Sequence, residues 1–322
     1  MRSLELYIYS DNAIEASWFR NLHPLFQNCE YREIKGRGQN SDIIEELIQY
    51  DRPDIILTNK SNALLVIEKT REVPTGHNVG QRVARLVRAL EHNVPAIVFF
   101  PFDAKKHGVY AGICNLNIRL FESFERMWDI HNCPIVALNW IADEDGELLD
   151  DGSEDYQIKS VILDFINSGF SSKCNRFNDL RRENNLEYER RLLIRPQYEF
   201  PPTSVKFVNT SAFIQDLDFL LPTYEKMCLN KKKESVVYLM LMTEDKCKRQ
   251  DPYTGTQFIY DYAYCRTGLR PEEKHKNLIL HFPKIRKEVW RNKNPNDLKS
   301  KSCNWYLIAN ALVFSDGIEF LR

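Results

Sequence analysis

Apolar residues in the first half of the chain alternate between short continuous runs and helical periodicity. Continuous runs of strand length lie at residues 4–9, 55–58, 63–67, 94–100 and 134–140. Between them, apolar positions three and four residues apart predict helices, as in the stripe Val79, Val83, Leu86, Val87 and Leu90. A helix that begins at Ser10 or Asp11 is expected to run to about residue 27, and another is expected at residues 115–130, whereas the acidic stretch 143–155 is expected to be a solvated loop. The order of these segments indicates an α/β fold with a mixed central sheet flanked by helices.

The pattern changes near residues 169–175, where Ser, Gly and Lys replace the apolar periodicity. Beyond this point a charged helix is expected at residues 177–193, a Pro-rich connector at 196–202 and a strand at 235–243. We therefore expect two domains, residues 1–170 and a second α+β domain at residues 171–322.

Two acidic residues lie at the ends of consecutive apolar runs. The runs at 55–58 and 63–67 are separated by turn-forming residues and predict a hairpin, with Asp54 before its first strand and Glu68 at the end of its second. A carboxylate in such a position is costly unless it is paired or bound to a cation. Two hard oxygen ligands on adjacent strand ends therefore predict a Mg²⁺ site.

Pro53 and Asp54, followed by Glu68 and then by a helix that starts at Thr75 or Gly76, resemble the PD-(D/E)xK nuclease superfamily. Many type II restriction endonucleases belong to this superfamily. The resemblance covers residues 40–100 and extends through the α/β order to residue 170. It implies a restriction-endonuclease-like core in which Asp54 and Glu68 bind Mg²⁺ and DNA is hydrolysed by a metal-activated water.

The third element of the motif differs from the family pattern. A Lys usually stands two positions beyond the Glu, but here that position is Thr70. Because strand side chains alternate, Glu68 and Thr70 are expected on one face and Lys69 on the other. Three explanations remain open: a Thr variant in which the metal needs no Lys, a bulge that brings Lys69 into the site, or loss of activity.

Several nearby polar residues are further candidates. Gln81 on the following helix would match a Gln that some branches of the superfamily carry, and His77 lies near the same helix start. Glu45, on the helix before Asp54, would match an additional acidic residue. Arg82 and Arg85 are candidates for DNA contacts, although a solvated polar helix face is an alternative interpretation for Arg85. The alternatives for His77 and Glu45 are an ordinary helix-start residue and a surface Glu on an amphipathic helix.

The charge is unevenly distributed. The net charge is -1, but residues 171–322 contain roughly 27 Lys and Arg against roughly 19 Asp and Glu. An acidic metal-binding half joined to a basic half suits a DNA enzyme, although two domains of different charge need no such role. Candidates for phosphate contacts in the basic half are Lys231, Lys232, Lys233 and Arg249.

Apolar segments and cysteines indicate the cellular compartment. No apolar segment is long enough to suggest a membrane span, and Glu5 and Asp11 interrupt any signal-peptide pattern. The eight cysteines are widely spaced, which favours reduced thiols in a cytoplasmic protein and argues against a zinc site.

The sequence therefore predicts a Mg²⁺-dependent DNA endonuclease, specifically a site-specific type II restriction enzyme acting on double-stranded DNA. A palindromic target would imply a homodimer. One alternative is a catalytically inactive DNA-binding or interaction protein on a nuclease scaffold. A second is a nucleotide-binding α/β protein, suggested by Gly36 and Gly38 in the loop between a strand and a helix.

Overall fold

A computed structural model describes residues 5–60, 62–74, 85–107, 111–194, 205–217, 229–241, 244, 276–291 and 307–321. The chain divides into two compact units, Met1–Pro196 and Gln197–Arg322. Both units are α/β, with mixed sheets accompanied by helices. No helix in the described ranges is both long enough and apolar enough to span a bilayer.

The first unit is built from eight described strands and a set of helices. The strands are β1 (Leu6–Ser10), β2 (Glu30–Glu33), β3 (Ile55–Asn59), β4 (Asn62–Lys69), β5 (Ala96–Phe100), β6 (Asp103–Lys106), β7 (Gly112–Asn115) and β8 (Ile135–Asn139). The helices are α1 (Ala13–Arg20), a short 3₁₀ turn (Pro24–Phe26), α2 (Asp42–Leu47), α3 (described over 85–91), α4 (Arg119–His131), α5 (Tyr156–Asn167) and α6 (Asn175–Leu192).

Six of these strands form one mixed sheet in the order β2-β1-β3-β4-β5-β8. β1 runs parallel to β2 and antiparallel to β3, whereas β4, β5 and β8 run parallel to one another. The interior strands β1 and β5 are buried along their whole length, which explains why their sequences are continuous apolar runs.

The predicted hairpin is confirmed. β3 and β4 pair antiparallel with Ile55 opposite Ile67, and the register shifts between Leu57 and Thr58. This irregularity lies toward the turn of the hairpin. At the other end, β4 pairs regularly with β5 through Glu68 and Lys69. The sheet therefore has no bulge at Lys69, contrary to one of the three explanations for the altered motif.

Helix α6 packs on the first unit, although composition assigned it to the second. Its buried Asn184 bridges both backbone groups of Ala137 on the edge strand β8: Asn184 Oδ1 accepts from Ala137 N at 2.8 Å, and Asn184 Nδ2 donates to Ala137 O at 2.9 Å. The side chain thus closes an otherwise open sheet edge. The boundary expected near residue 170 is accordingly replaced by one near residue 196.

Three other local expectations are corrected. The helix expected to run to residue 27 ends at Arg20 and begins after Asn12, whose side chain caps Ile14 N. The helix expected from residue 115 begins at Arg119, because residues 112–115 pair with β6 as a second hairpin. The acidic stretch 143–155, expected to be a solvated loop, contains the buried Asp155, which accepts a hydrogen bond from Trp18 Nε1 at 2.8 Å.

The second unit contains a five-stranded sheet in the order β13-β12-β11-β10-β9. Its described elements are β9 (Val205–Asn209), α7 (Thr210–Asp216), β10 (Glu234–Leu239), β11 (Asn277–Phe282), α8 (Lys287–Arg291), β12 (Ala311–Phe314) and β13 (Gly317–Phe320). The three inner strands are parallel and the two edge strands antiparallel. β10 is the strand expected at residues 235–243.

Candidate functional site

Asp54 and Glu68 lie side by side at one end of the β3–β4 hairpin. Because Ile55 pairs with Ile67, extending the register by one residue places Asp54 opposite Glu68. Asp54 also closes the end of the strand pair, since its Oδ2 accepts a hydrogen bond from Lys69 N at 2.7 Å. The sheet therefore brings together the two carboxylates that the sequence selected.

Glu68 is fully buried and is bound by an arginine. Arg85, on α3, places Nη1 3.0 Å from both carboxylate oxygens of Glu68. A buried carboxylate is tolerated when it is paired in this way. The contact explains how an ionisable side chain can end an otherwise apolar strand.

Two more carboxylates share the same guanidinium. Arg85 Nη2 is 2.6 Å from Asp51 Oδ2, and Arg85 Nη1 is 3.5 Å from Asp54 Oδ1. Burial disfavours the charged form of Arg85, but the charges of Glu68, Asp51 and Asp54 outweigh this and raise its pKa above the ordinary value. Arg85 was expected to contact DNA. In this structure it is the shared counter-ion of the carboxylate cluster.

Glu15, on α1, is an acidic residue near Asp54 that the sequence did not reveal. Its pKa is raised to about 7, first by burial and then by the negative charges of Asp54 and Asp11, while Lys69 and Arg85 act in the opposite direction. Its buried Oε2 has no hydrogen-bond partner among the described residues. Glu15 looks like a surface position on a short helix, and only the packing of α1 on the sheet brings it near Asp54.

Lys69 and Glu68 have different surroundings, as the strand alternation predicted. Lys69 Nζ lies 4.6 Å from the ring centroid of Trp18 and 4.4 Å from that of Trp140. Phe99, the β5 partner of Lys69, stacks on both of these rings, with centroid distances of 6.0 Å to Trp18 and 5.3 Å to Trp140. The ammonium is thus held by an aromatic cluster through cation–π contacts, with Asp150 at 3.7 Å.

Thr70 lies immediately after β4 and is nearly buried. Its backbone N–H donates to Phe99 O at 3.0 Å, which continues the β4–β5 pairing by one bond. Its Oγ1 accepts a hydrogen bond from Glu72 N at 3.1 Å. The hydroxyl therefore shapes the turn that follows Glu68, a role that its position in the motif did not indicate.

Glu45 serves a loop and not the carboxylate cluster. Its Oε1 accepts hydrogen bonds from Gln39 N, Asn40 N and Asn40 Nδ2 at 2.7–3.1 Å. Hydrogen bonds from the loop backbone, that of Gly38 above all, lower its pKa. The glycine-containing loop thus directs amide groups toward a carboxylate of its own chain. This weakens both the accessory role suggested for Glu45 and the phosphate-binding role suggested for the loop.

The remaining candidate residues lie either outside the described part of the chain or in the second unit. His77, Gln81, Arg82 and Arg249 lie outside the described residues. Lys231 and Lys232 are exposed, and Lys233 is partly buried, in the turn before β10 of the second unit.

Carboxylate oxygens are suitable ligands for Mg²⁺, but in the observed conformation those of Glu68 contact an arginine. Within the described ranges, no group of three or more His, Cys, Asp and Glu side chains is arranged to hold a metal ion. Both oxygens of Glu68 instead contact Arg85. Burial, followed by the charges of Asp54 and Asp11, raises the pKa of Glu15, so a cation close to this carboxyl would favour its ionised form.

Comparison with known proteins gives no assignment. No protein-family model, no curated protein and no solved structure matches the chain. The carboxylate cluster is therefore the feature of this chain that bears on its function.

Proposed function

We propose that this protein is a Mg²⁺-dependent DNA endonuclease of the PD-(D/E)xK type, acting on double-stranded DNA as a site-specific type II restriction enzyme. The observation that carries the proposal is that Asp54 and the buried Glu68 meet at the end of the β3–β4 hairpin, where both carboxylates lie within 3.5 Å of Arg85 Nη1. A restriction-endonuclease-like core and a homodimer belong to the same proposal.

The donor set supports this choice of metal. Asp54 and Glu68 supply carboxylate oxygens, which are the ligands Mg²⁺ prefers, and Glu15 lies near enough to Asp54 for its pKa to be raised by that charge. The buried Oε2 of Glu15, which has no hydrogen-bond partner within the described part of the chain, is an oxygen that a cation would satisfy. When bound, the metal would polarise a phosphoryl oxygen and make a water molecule nucleophilic near neutral pH.

The protein's own residues orient this set. The Lys69 amide fixes the carboxylate of Asp54 by a 2.7 Å hydrogen bond, and the sheet fixes Glu68. Thr70 shapes the turn directly after Glu68. The Lys69 ammonium is held by aromatic rings, which favours the Thr variant of the motif over a mechanism that needs Lys69 beside Glu68.

One observation supports a second candidate function. Because Arg85 contacts both Glu68 oxygens, the same cluster would also be a stable structural ion pair in a non-catalytic DNA-binding or interaction protein. The two candidates differ in whether the carboxylates act on a phosphodiester.

The decisive experiment is incubation of the purified protein with plasmid and phage DNA in Mg²⁺. Discrete fragments would indicate site-specific cleavage, and a smear would indicate nonspecific nuclease activity. Asp54→Ala and Glu68→Ala are expected to abolish cleavage while DNA binding persists. Glu45→Ala is the matched control, because its carboxylate serves the loop, and it should retain cleavage.

Undiminished cleavage by both Asp54→Ala and Glu68→Ala would refute the assignment. Intact DNA in the presence of wild-type protein that nevertheless binds DNA would favour the non-catalytic candidate. Circular dichroism of each variant separates loss of chemistry from loss of fold.

A further inference from the structure

Two arginines on α3 differ in one informative respect. Arg85 and Arg88 are similarly buried, with side chains 14% and 13% exposed. Arg88 pairs with Glu46 and Glu91 and also donates to the Glu46 carbonyl. Arg85 instead contacts the carboxylates of the candidate site. The helix thus carries one arginine in that site and a similar one three residues away.

The contacts of Arg85 use the atoms that a metal would need. Both oxygens of Glu68 lie 3.0 Å from Arg85 Nη1, and the same nitrogen is 3.5 Å from Asp54 Oδ1. A guanidinium between these carboxylates and a small divalent ion bound to the same oxygens would exclude each other, because both are cations that require close approach.

The guanidinium is held mainly by charge. Its two terminal nitrogens contact Asp51, Asp54 and Glu68, whereas its buried Nε has no hydrogen-bond partner among the described residues. A side chain fixed through its end groups can be released when a competing cation takes over the carboxylates. The Asp51 carboxylate, at 2.6 Å, can retain the guanidinium beside the cluster after such a change.

We propose that Arg85 is a displaceable counter-ion: it pairs with Glu68 and Asp54 in the metal-free protein and leaves them when a divalent cation binds. The inference rests on the proposed metal site. It assigns Arg85 a positioning role, since the arginine holds the two carboxylates in place and offsets their charge before the metal arrives.

This competition has a measurable consequence. The apparent dissociation constant of a ligand equals its intrinsic value divided by the fraction of protein able to bind it. If Arg85 pairs with the carboxylates in about nine molecules of ten, it raises the apparent Kd for the metal about tenfold. Removing the guanidinium should therefore tighten metal binding, whereas removal of a merely structural residue should weaken it or leave it unchanged.

The test is Mn²⁺ binding to the full-length protein without DNA, measured by calorimetry and by the electron paramagnetic resonance signal of unbound Mn²⁺. Arg85→Gln is expected to bind Mn²⁺ at least about tenfold more tightly than the wild type. Arg88→Gln, the matched control, should bind like the wild type. Arg85→Lys keeps a positive charge but cannot form bidentate contacts, so its affinity for Mn²⁺ should increase less. This variant also provides a test if the Gln variant misfolds.

Mn²⁺ binding by both Arg85 variants that is no tighter than that of the wild type would overturn the proposal, as would absence of Mn²⁺ binding from all four proteins. A tightened Kd in a protein that never cleaves DNA would support the counter-ion role and reject the nuclease function. The metal-binding measurement therefore tests the counter-ion role of Arg85, and the cleavage measurement separately tests the nuclease function.

Discussion

Replacing Lys69 with Met tests whether the lysine that follows Glu68 takes part in catalysis. In the structure its ammonium lies 4.6 Å and 4.4 Å from the ring centroids of Trp18 and Trp140. Met preserves most of the aliphatic stem and removes the charge. The substitution therefore isolates the cation–π contacts and the weak ion pair with Asp150.

The expected loss of stability follows from these contacts. A partly desolvated cation–π contact contributes about 0.5–2 kcal/mol, and two rings that share one ammonium contribute less than twice that amount. The pair with Asp150 is 3.7 Å long and its carboxylate is half-exposed, so it adds well under about 1 kcal/mol. We expect Lys69→Met to lower the free energy of unfolding by about 1–2 kcal/mol and the melting temperature by roughly 2–8 °C.

Thermal melts and plasmid cleavage assays on the same preparation provide the measurement. Lys69→Met should retain cleavage within about tenfold of the wild type, because the ammonium does not need to reach the water in a Thr-variant site. Lys105→Met serves as control, since Lys105 is more exposed than Lys69 and its ammonium pairs with Glu147, which is not one of the carboxylates around Arg85. More than about a hundredfold loss of cleavage at an unchanged melting temperature would show that Lys69 does act on the reacting groups.

Two further predictions concern the cluster and the sheet edge. The pKa of Glu15 is raised from 4.5 to about 7 in the folded state, so its contribution to stability is present below pH 4.5 and is lost as the pH rises to 7. Glu15→Gln should therefore flatten the dependence of unfolding free energy on pH over this range. Because the half-buried site is screened by solvent, the substitution should stabilise the protein by only about 1 kcal/mol at pH 8. If the unfolding free energies of the variant and the wild type, measured in urea, change in parallel from pH 4.5 to 8, the argument is contradicted. Asn184→Ala removes the partner of both backbone groups of Ala137 and should lower the free energy of unfolding by about 2–4 kcal/mol. A decrease below about 0.5 kcal/mol in a denaturant titration would mean that water replaces both hydrogen bonds.

Much of the first unit follows from its sequence because its segments carry unambiguous local patterns. Short apolar runs bounded by turn residues predicted β3, β4, β5 and β8, since strands buried on both faces need apolar residues throughout. The alternation of strand side chains also predicted that Glu68 and Lys69 have separate environments. The hairpin β6–β7 was missed because its residues alternate too weakly to be distinguished from a loop.

Only two of the residues in and around the candidate site could be predicted from the sequence, for a different reason. Asp54 and Glu68 could be selected because each ends an apolar run, and the hairpin register then brings them together. Glu15 and Arg85 lie on helices, where a charged residue looks like any solvated surface position. Their roles depend on how α1 and α3 pack on the sheet, and packing is set by contacts between residues far apart in the chain.

The sequence by itself determined the strands, the hairpin and the pair of carboxylates at its end, because these depend on local periodicity and on one short connection. Only the tertiary structure decided what surrounds that pair: an arginine on both Glu68 oxygens, a half-buried Glu15 and aromatic rings around Lys69. Long-range charge and burial set these neighbours, and no local pattern records which distant side chain will supply the counter-ion of a buried carboxylate.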